Sequence, residues 1–300
     1  MMEKIKINYH VQEDVDRLNK MKETCFNCAE AMKYLKSLGI SDETIEEEIA
    51  IIYPFVTDLM YCKNCPGLAS CNKENPHLCT KIIYENEMVD YQLVPCKKMI
   101  DNITFKRQFH VYDFPEEWLD TNLNTIDKTQ GRKQALAKYL SFINNEPCPW
   151  IYLTGNKHTG RSFFAASLCV DAVRKNKGPV AFLNSAQRIR ELADLSFDKN
   201  SKETFQKKMD LYANVPILVL DDFGNEYITD YVRDNIVSTI ITTRASKRLL
   251  TIFTSDFSLE EIAILYGKND PVGQIKAGQM VKIIKSLAKK EINLGDLAIY

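Results

Sequence analysis

One short segment combines the groups that proteins use to hold phosphate. It follows the apolar run Trp150 to Thr154 and reads Gly155-Asn156-Lys157-His158-Thr159-Gly160-Arg161-Ser162. A phosphate-binding loop uses two glycines so that backbone N–H groups can surround the anion, a basic residue after the second glycine, and a hydroxyl for Mg²⁺. Arg161 stands where lysine is expected, and its planar guanidinium is bulkier than an ammonium group. We predict that these eight residues bind nucleotide and that hydrolysis is impaired. The alternative is a plain glycine turn between a strand and a helix.

A pair of carboxylates follows a second apolar run further along the chain. Ile217 to Leu220 predict a buried strand, and Asp221 and Asp222 come directly after it. In nucleotide-hydrolysing enzymes the first such carboxylate holds Mg²⁺ through water, and the second polarises the attacking water. We therefore predict that Asp221 belongs to the nucleotide site and that Asp222 is catalytic. A solvated strand end or a helix cap is the other interpretation of the pair.

A third strand, Thr251 to Thr254, also ends in polar residues, Ser255 and Asp256. A polar side chain at such a strand end can orient the water that attacks the nucleotide. The helix before this strand ends in three basic residues, Arg244, Lys247 and Arg248. A basic residue there can reach the nucleotide of a neighbouring subunit as an arginine finger, which would require a homo-oligomer. Surface polarity explains each feature equally well when it is taken alone.

Cysteines are unevenly distributed, and five of the nine lie between residues 62 and 96. Cys62 and Cys65 have the C-x2-C spacing of a zinc knuckle, in a segment too poor in aliphatic residues to form a core of its own. The further candidate ligands are Cys71, His77, Cys79 and Cys96. The pattern predicts a structural zinc site and does not choose four ligands among these six residues. Ordinary reduced thiols are the alternative.

The other four cysteines have simpler explanations. Cys25 and Cys28 lie on one face of a predicted amphipathic helix, so we expect them to pack in a core. Cys148 and Cys169 flank the strand and helix around the phosphate loop, where burial is the usual fate of a free cysteine.

The order of the predicted elements suggests two domains. Helical patterns occupy the first part of the chain, and residues 61–98 look irregular. A helix at 128–142 is followed by short apolar runs that alternate with helical stretches, at 150–153, 180–183, 217–220 and 249–253. Such alternation predicts a parallel sheet covered by helices on both faces. We therefore expect an α/β fold, with a small, mainly helical zinc-binding domain at 1–100, a linker at 101–127 and a nucleotide-binding domain at 128–300.

Composition narrows the possible partners. The 300 residues carry a formal net charge of -1, which gives no general support to a nucleic-acid or membrane partner. No apolar run approaches the roughly 18 residues that a membrane span needs, and the N-terminus lacks the apolar core of a signal peptide. We expect a cytoplasmic protein with no membrane contact.

Taken together, these motifs resemble the primosomal helicase loaders of bacteria, of the DnaI/DnaC type. The resemblance is most specific from Asp221 to Ile262, where Tyr231-Val232-Arg233-Asp234 is similar to a Trp-x-Arg-Asp motif of the family. It implies a C-terminal AAA+ P-loop domain, an arginine finger at Arg244, a sensor 1 residue at Asp256, and bound ATP, Mg²⁺ and Zn²⁺. The implied zinc ligands are Cys62, Cys65, Cys79 and Cys96, with His77 as the alternate. The implied partners are the replicative hexameric helicase and single-stranded DNA.

Three positions depart from the family pattern. Arg161 replaces a lysine, Asp256 replaces an asparagine, and the arginine called sensor 2 falls on Ile283. In the family each of these positions binds or senses the γ-phosphate, so the resemblance implies a loader that binds ATP with weak or lost hydrolysis. Two alternatives stay open: a transposition-type AAA+ ATPase acting on duplex DNA, and a nucleotide-free adaptor with a vestigial P-loop.

Overall fold

The chain divides into two compact units, Met1–Thr104 and Phe105–Tyr300, in a computed structural model. The structure describes residues 11–146, 150–268 and 270–295, so Cys148 lies outside the described residues. The division falls within a helix, Lys97–Arg107, and not in an open linker. Part of the linker predicted at 101–127 is a strand of the second unit, because Phe109 and Phe114 are buried there.

The first unit consists of helices followed by a β-hairpin. Its elements are α1 (Val11–Asn27), α2 (Ala29–Ser37), α3 (Asp42–Glu47), α4 (Ile49–Lys63), β1 (Leu78–Glu85) and β2 (Met88–Pro95), and α5 (Lys97–Arg107) follows. Cys25 is fully buried in the core of this unit and Cys28 packs against that core, which confirms their predicted packing role. The predicted single helix is interrupted at Cys28.

The hairpin lies in the segment that the sequence suggested was irregular. Its strands pair antiparallel from Leu78 opposite Pro95 to Glu85 opposite Met88. The turn residues Asn86 and Glu87 have φ values of 51° and 62°, the left-handed conformation that a two-residue hairpin turn requires.

Asp58 ties the hairpin to α4. Its carboxylate accepts hydrogen bonds from the backbone N–H of Thr80 at 2.7 Å and from Lys73 Nζ at 2.9 Å. Since Asp58 lies on α4 and Thr80 on β1, this one side chain links the two layers of the unit.

The second unit is an α/β domain with a parallel sheet. Its strands are β3 (Phe109–Tyr112), β4 (Ile151–Thr154), β5 (Val180–Asn184), β6 (Ile217–Asp221), β7 (Leu250–Thr254) and β8 (Glu291–Asn293). Within the described residues they are hydrogen-bonded in the order β3-β5-β6-β7-β4-β8, and every pair is parallel. The predicted parallel sheet is thereby confirmed. β3 and β8 were not predicted, because each has a single buried residue and neither forms an apolar run in the sequence.

Helices cover both faces of this sheet. They are α6 (Gln130–Ile143), α7 (Arg161–Arg174), α8 (Ser185–Phe197), α9 (Lys202–Asn214), α10 (Ser238–Ser246), α11 (Leu259–Gly267) and α12 (Pro271–Ala288). A stretch of π-helix, Val232–Val237, leads into α10. Alternate strand residues face opposite cores: Tyr152 packs in one and Leu153 in the other. No helix in the described ranges is long and apolar enough to cross a membrane.

The close approach of α6 to β8 gives a stability prediction. A Cβ on Gly131 would overlap the backbone carbonyl of Asn293, whereas a Cβ on Gly278 in α12 would meet nothing within 4 Å. We expect Gly131→Ala to lower the free energy of unfolding by about 2 kcal/mol or more, as overpacking against rigid backbone does. The matched change Gly278→Ala should raise it by up to about 1 kcal/mol, since alanine is the better helix former. Urea denaturation of the two variants measures both effects, and equal stabilities would contradict the α6–β8 packing.

Candidate nucleotide-binding site

The carboxyl ends of three neighbouring strands form the site. Leu153 of β4 lies opposite Thr254 of β7, and Leu220 of β6 lies opposite Phe253. The loop after β4, the carboxylates after β6 and Asp256 after β7 therefore meet at one edge of the sheet. A pocket of about 470 Å³ opens there, and the residues that line it are Trp118, Lys157, His158, Gly160, Arg161, Ser162, Phe163, Asn184, Ala186, Asp222, Asn225 and Asp256.

The phosphate loop has the backbone conformation that its glycines allow. Gly155 has a φ of 145°, and Gly160, the N-cap of α7, has a φ of 75°. A Cβ on Gly155 would lie 3.0 Å from the Gly295 carbonyl oxygen and 3.2 Å from Thr159 Oγ1, so a side chain would crowd the loop. The loop opens onto the N-terminus of a 14-residue helix, where backbone N–H groups favour an anion. The loop therefore fits a phosphate group.

A buried arginine supports this loop from α6. Arg132 is only 3% exposed and donates hydrogen bonds to the Thr159 carbonyl at 3.3 Å and the Asp127 carbonyl at 3.1 Å. Its guanidinium also lies 5.8 Å from the centre of the Phe164 ring. The sequence did not reveal this role, because a basic residue on a predicted surface helix is usually solvated.

Asp221 and Ser162 are the groups that could hold Mg²⁺. Asp221 is buried, and Thr254 Oγ1 donates to its carboxylate at 2.5 Å. Burial raises the pKa of Asp221 to about 6, an effect that hydrogen bonds from the hydroxyls of Thr254 and Ser162 partly offset. A carboxylate beside a hydroxyl is an oxygen donor set of the kind that Mg²⁺ accepts. The side chains therefore fit a magnesium-bound phosphate.

Asp222 takes the predicted position at the pocket. Its φ is 56°, and its backbone N–H donates to Thr254 Oγ1 at 2.9 Å. The same threonine hydroxyl thus fixes the carboxylate of Asp221 and the backbone of Asp222.

Glu226 anchors the loop that follows. The buried carboxylate accepts hydrogen bonds from the Gly224 N–H at 2.8 Å, from the Tyr266 hydroxyl at 2.9 Å and from the Ser185 hydroxyl. Burial raises the pKa of Glu226. A lone glutamate in a loop gave no sequence signal for this contact.

Arg161 and Asp256, two of the three positions that depart from the family pattern, form an ion pair with each other. The Arg161 guanidinium donates to the Asp256 carboxylate and to the carbonyl oxygens of Gly155 and Ser255. Arg161 is only 6% exposed, although it lines the pocket. The third position, Ile283, packs against the hydrophobic core and supplies no cation.

The position of Arg244 corrects the prediction of an arginine finger. Arg244 is 0% exposed and donates to the carbonyls of Val215 at 2.7 Å and Leu250 at 2.6 Å, and to Thr251 Oγ1 at 2.9 Å. A guanidinium held inside its own subunit cannot reach the nucleotide of a neighbour. Its carbonyl acceptors lie at the end of α9 and in β7, so Arg244 links these two elements inside the domain. Lys247 and Arg248 are exposed.

The predicted zinc ligands are only partly assembled. Cys62 Sγ and Cys79 Sγ lie 3.7 Å apart, close to the edge of about 3.8 Å in a tetrahedron with Zn–S bonds of about 2.3 Å. Burial raises the pKa of Cys79 to about 11, and Lys73 Nζ lies 3.6 Å from its sulfur. Among the described residues, no three His, Cys, Asp or Glu side chains form a group that could hold a metal. Cys62 and Cys79 thus lie at a separation that suits zinc, and within the described residues the other predicted ligands are not gathered around them.

Trp118 is a pocket residue that the sequence placed in the linker. It lies on a 3₁₀ turn, stacks on Phe114 with ring centres 6.0 Å apart, and meets the Phe163 ring edge-on at 5.3 Å. Asn184 and Asn225 also line the pocket. Asn184 ends β5, so the rule that ligands bind at the carboxyl ends of parallel strands would have found it.

Sheet order, phosphate loop and paired carboxylates define a P-loop nucleotide-binding domain of the AAA+ type. Residues 96–272 match the model of the IstB-like ATP binding protein family, and the chain belongs to that family.

Known proteins support the same assignment. The chain is 23% identical to the replicative helicase loader DnaI of Bacillus subtilis (strain 168) over 284 residues, which cover 91% of this chain and 90% of that protein. A crystal structure of DnaI is 25% identical with a TM-score of 0.53, over 61% of this chain and 95% of that one. The crystal structure of a primosome component from Streptococcus pyogenes serotype M3 is 22% identical with a TM-score of 0.51, and the match covers 66% of this chain and 98% of that one. The resemblance to helicase loaders of this type is thereby confirmed.

The burial of Asp221 gives a prediction for the protein without nucleotide. The pKa of this carboxyl is about 6 in the folded state against an ordinary 3.8, so the folded state holds the proton more tightly. The free energy of unfolding should therefore fall as pH rises from about 4 to about 6, and stay lower above that range. The substitution Asp221→Asn removes the carboxyl group, and with it this pH-dependent fall in the free energy of unfolding. We expect the variant to be more stable than the wild type by about 3 kcal/mol at pH 7.5 and of similar stability near pH 4.

Thermal unfolding at several pH values measures this difference. Glu203→Gln, which removes an exposed carboxylate on α9, is the control for the change in net charge. A variant at Asp221 that is less stable than the wild type at pH 7.5 would contradict the prediction.

Proposed function

We propose that this chain is a helicase loader that binds the replicative hexameric helicase and helps to place it on single-stranded DNA during replication. The observation that carries the proposal is the extent of the likeness to DnaI. The family match covers residues 96–272, whereas the match to DnaI covers 91% of this chain and so extends well into the first unit. A likeness that includes both units supports a shared task more strongly than a shared nucleotide-binding fold does.

We propose that ATP acts on this protein mainly by binding, and that its hydrolysis contributes little. The glycine loop and the pair formed by Ser162 and Asp221 supply what MgATP binding needs, and Asp222 lies at the pocket as the residue that would polarise water. The cation after the second glycine is engaged within the protein. ATP binding with weak or lost hydrolysis follows from this combination.

Single-stranded DNA is proposed to contact the second unit. Arg188 and Lys208 are unsuitable for phosphate, because both pair with Glu191 and Arg188 also pairs with Asp113. Lys133, Arg190 and Arg248 are exposed and suit a phosphate backbone better.

Complex formation with the helicase tests the main proposal. We expect the purified chain to form a defined complex with the hexameric helicase of the same organism, observed by native mass spectrometry with and without ATP and single-stranded DNA. An unrelated hexameric ATPase is the control for non-specific association. The absence of a complex under every condition would refute the loader role.

A structural zinc site in the first unit is a further part of this proposal. We propose that Cys62, Cys65, Cys79 and Cys96 bind one Zn²⁺, and the 3.7 Å between two of their sulfurs supports it. Elemental analysis should find about one zinc per chain. Cys62→Ser should lose the metal and lower the melting temperature, because a closed zinc site contributes folding energy.

Two variants in the same segment complete the zinc experiment. Cys71→Ser is the matched control and should retain the metal, and His77→Ala should retain it as well. The ligand assignment is wrong if either of these variants loses zinc while Cys62→Ser keeps it. A well-folded wild type without metal would refute the site altogether.

A further inference from the structure

The ion pair between Arg161 and Asp256 joins the phosphate loop to the end of the neighbouring strand. Arg161 opens α7 directly after the loop, and Asp256 follows β7, which is hydrogen-bonded to β4. The side chains are 6% and 21% exposed, and both line the pocket. The pair therefore occupies the place where a phosphate-binding loop normally presents a free cation.

The hydrogen bonds leave the guanidinium little capacity for another anion. Nη1 carries two hydrogens, and it donates to two carbonyl oxygens, those of Gly155 and Ser255. Nη2 donates to the Asp256 carboxylate. Only Nε–H and one hydrogen of Nη2 remain, and the positive charge is already balanced by a carboxylate.

The rest of the phosphate site does not depend on this cation. The backbone of the loop and the N-terminus of α7 bind phosphate through N–H groups, and Lys157 and His158 line the same pocket. The residue after the second glycine is the one that reaches the β- and γ-phosphates of a nucleotide. Neutralising it therefore weakens the hold on the terminal phosphate more than the hold on the first two.

We propose that Asp256 sets the nucleotide selectivity of this site, by pairing with Arg161 and so favouring a nucleoside diphosphate over a triphosphate. This inference rests on the proposed nucleotide site. A third phosphate adds negative charge close to the Asp256 carboxylate, and it can use Arg161 only when the ion pair opens. A nucleoside diphosphate has no third phosphate, so it neither places that negative charge near Asp256 nor requires the ion pair to open.

Binding affinities for MgADP and MgATP, measured by isothermal titration calorimetry, test the inference. We expect the wild type to bind MgADP at least as tightly as MgATP. Asp256→Asn should shift the ratio of the two affinities toward MgATP by about tenfold or more, because it removes a like charge and frees Arg161.

Two further variants and a folding measurement distinguish a change in nucleotide selectivity from a loss of folding. Glu203→Gln removes one exposed carboxylate from the same unit and should leave the ratio unchanged. The double variant Arg161→Lys, Asp256→Asn removes both departures from the usual pattern, and it should favour MgATP as strongly as Asp256→Asn does. Circular dichroism melts of every variant confirm that the compared proteins are folded.

The outcomes distinguish this inference from the proposed site. If the wild type binds nucleotide and Asp256→Asn leaves the affinity ratio unchanged, the selectivity role is wrong while the nucleotide site stands. If no folded variant binds either nucleotide, the site and the inference are both overturned. A gain of MgATP affinity relative to MgADP affinity in Asp256→Asn, with the ratio unchanged in Glu203→Gln, supports the inference directly.

Discussion

The parallel register of β6, β7 and β4 is the constraint on which the nucleotide site depends. Because these strands are hydrogen-bonded side by side, the residues that follow each one emerge at the same edge of the sheet. Thr254, the last residue of the central strand of the three, makes the closest connection. Its hydroxyl donates to the Asp221 carboxylate and accepts from the Asp222 N–H, so one side chain sets the positions of both carboxylates. A slip of one residue in this register would separate the loop, the carboxylates and Asp256.

Sequence patterns revealed the features that depend on local order, and missed those that depend on burial. The strands at Ile151 and Ile217 and the phosphate loop follow from short apolar runs and glycine spacing, and the structure has them where they were expected. Arg244 is an example of a residue whose role depends on burial and was not recognised from the sequence. An arginine at a helix end looks solvated in a sequence, and only the fold shows that three backbone carbonyls surround it. Trp118 was missed for a related reason, since its neighbours Phe114 and Phe163 become adjacent only after folding.

Pairing explains how two substitutions that each look damaging can coexist. A buried arginine without a partner, or a carboxylate facing a phosphate site without one, would each carry a large desolvation cost. Together, Arg161 and Asp256 satisfy each other, and the two backbone carbonyls on Arg161 complete its hydrogen bonding. Each residue lowers the desolvation cost of the other. Neither substitution should therefore be interpreted alone as evidence that the site has lost its function.

Binding and hydrolysis depend on different parts of this pocket. Phosphate binding by a glycine loop relies mainly on backbone N–H groups and a helix terminus, which substitutions of side chains leave in place. Hydrolysis relies on side-chain charges placed around the terminal phosphate, and two of the three departures from the family pattern have turned those charges toward each other while the third, Ile283, removes one. The same departures also leave the loop geometry at Gly155 and Gly160 intact. The parts that bind a nucleotide can therefore stay in place while the charges that promote its cleavage are engaged elsewhere, which agrees with the proposed loader that binds ATP with weak or lost hydrolysis.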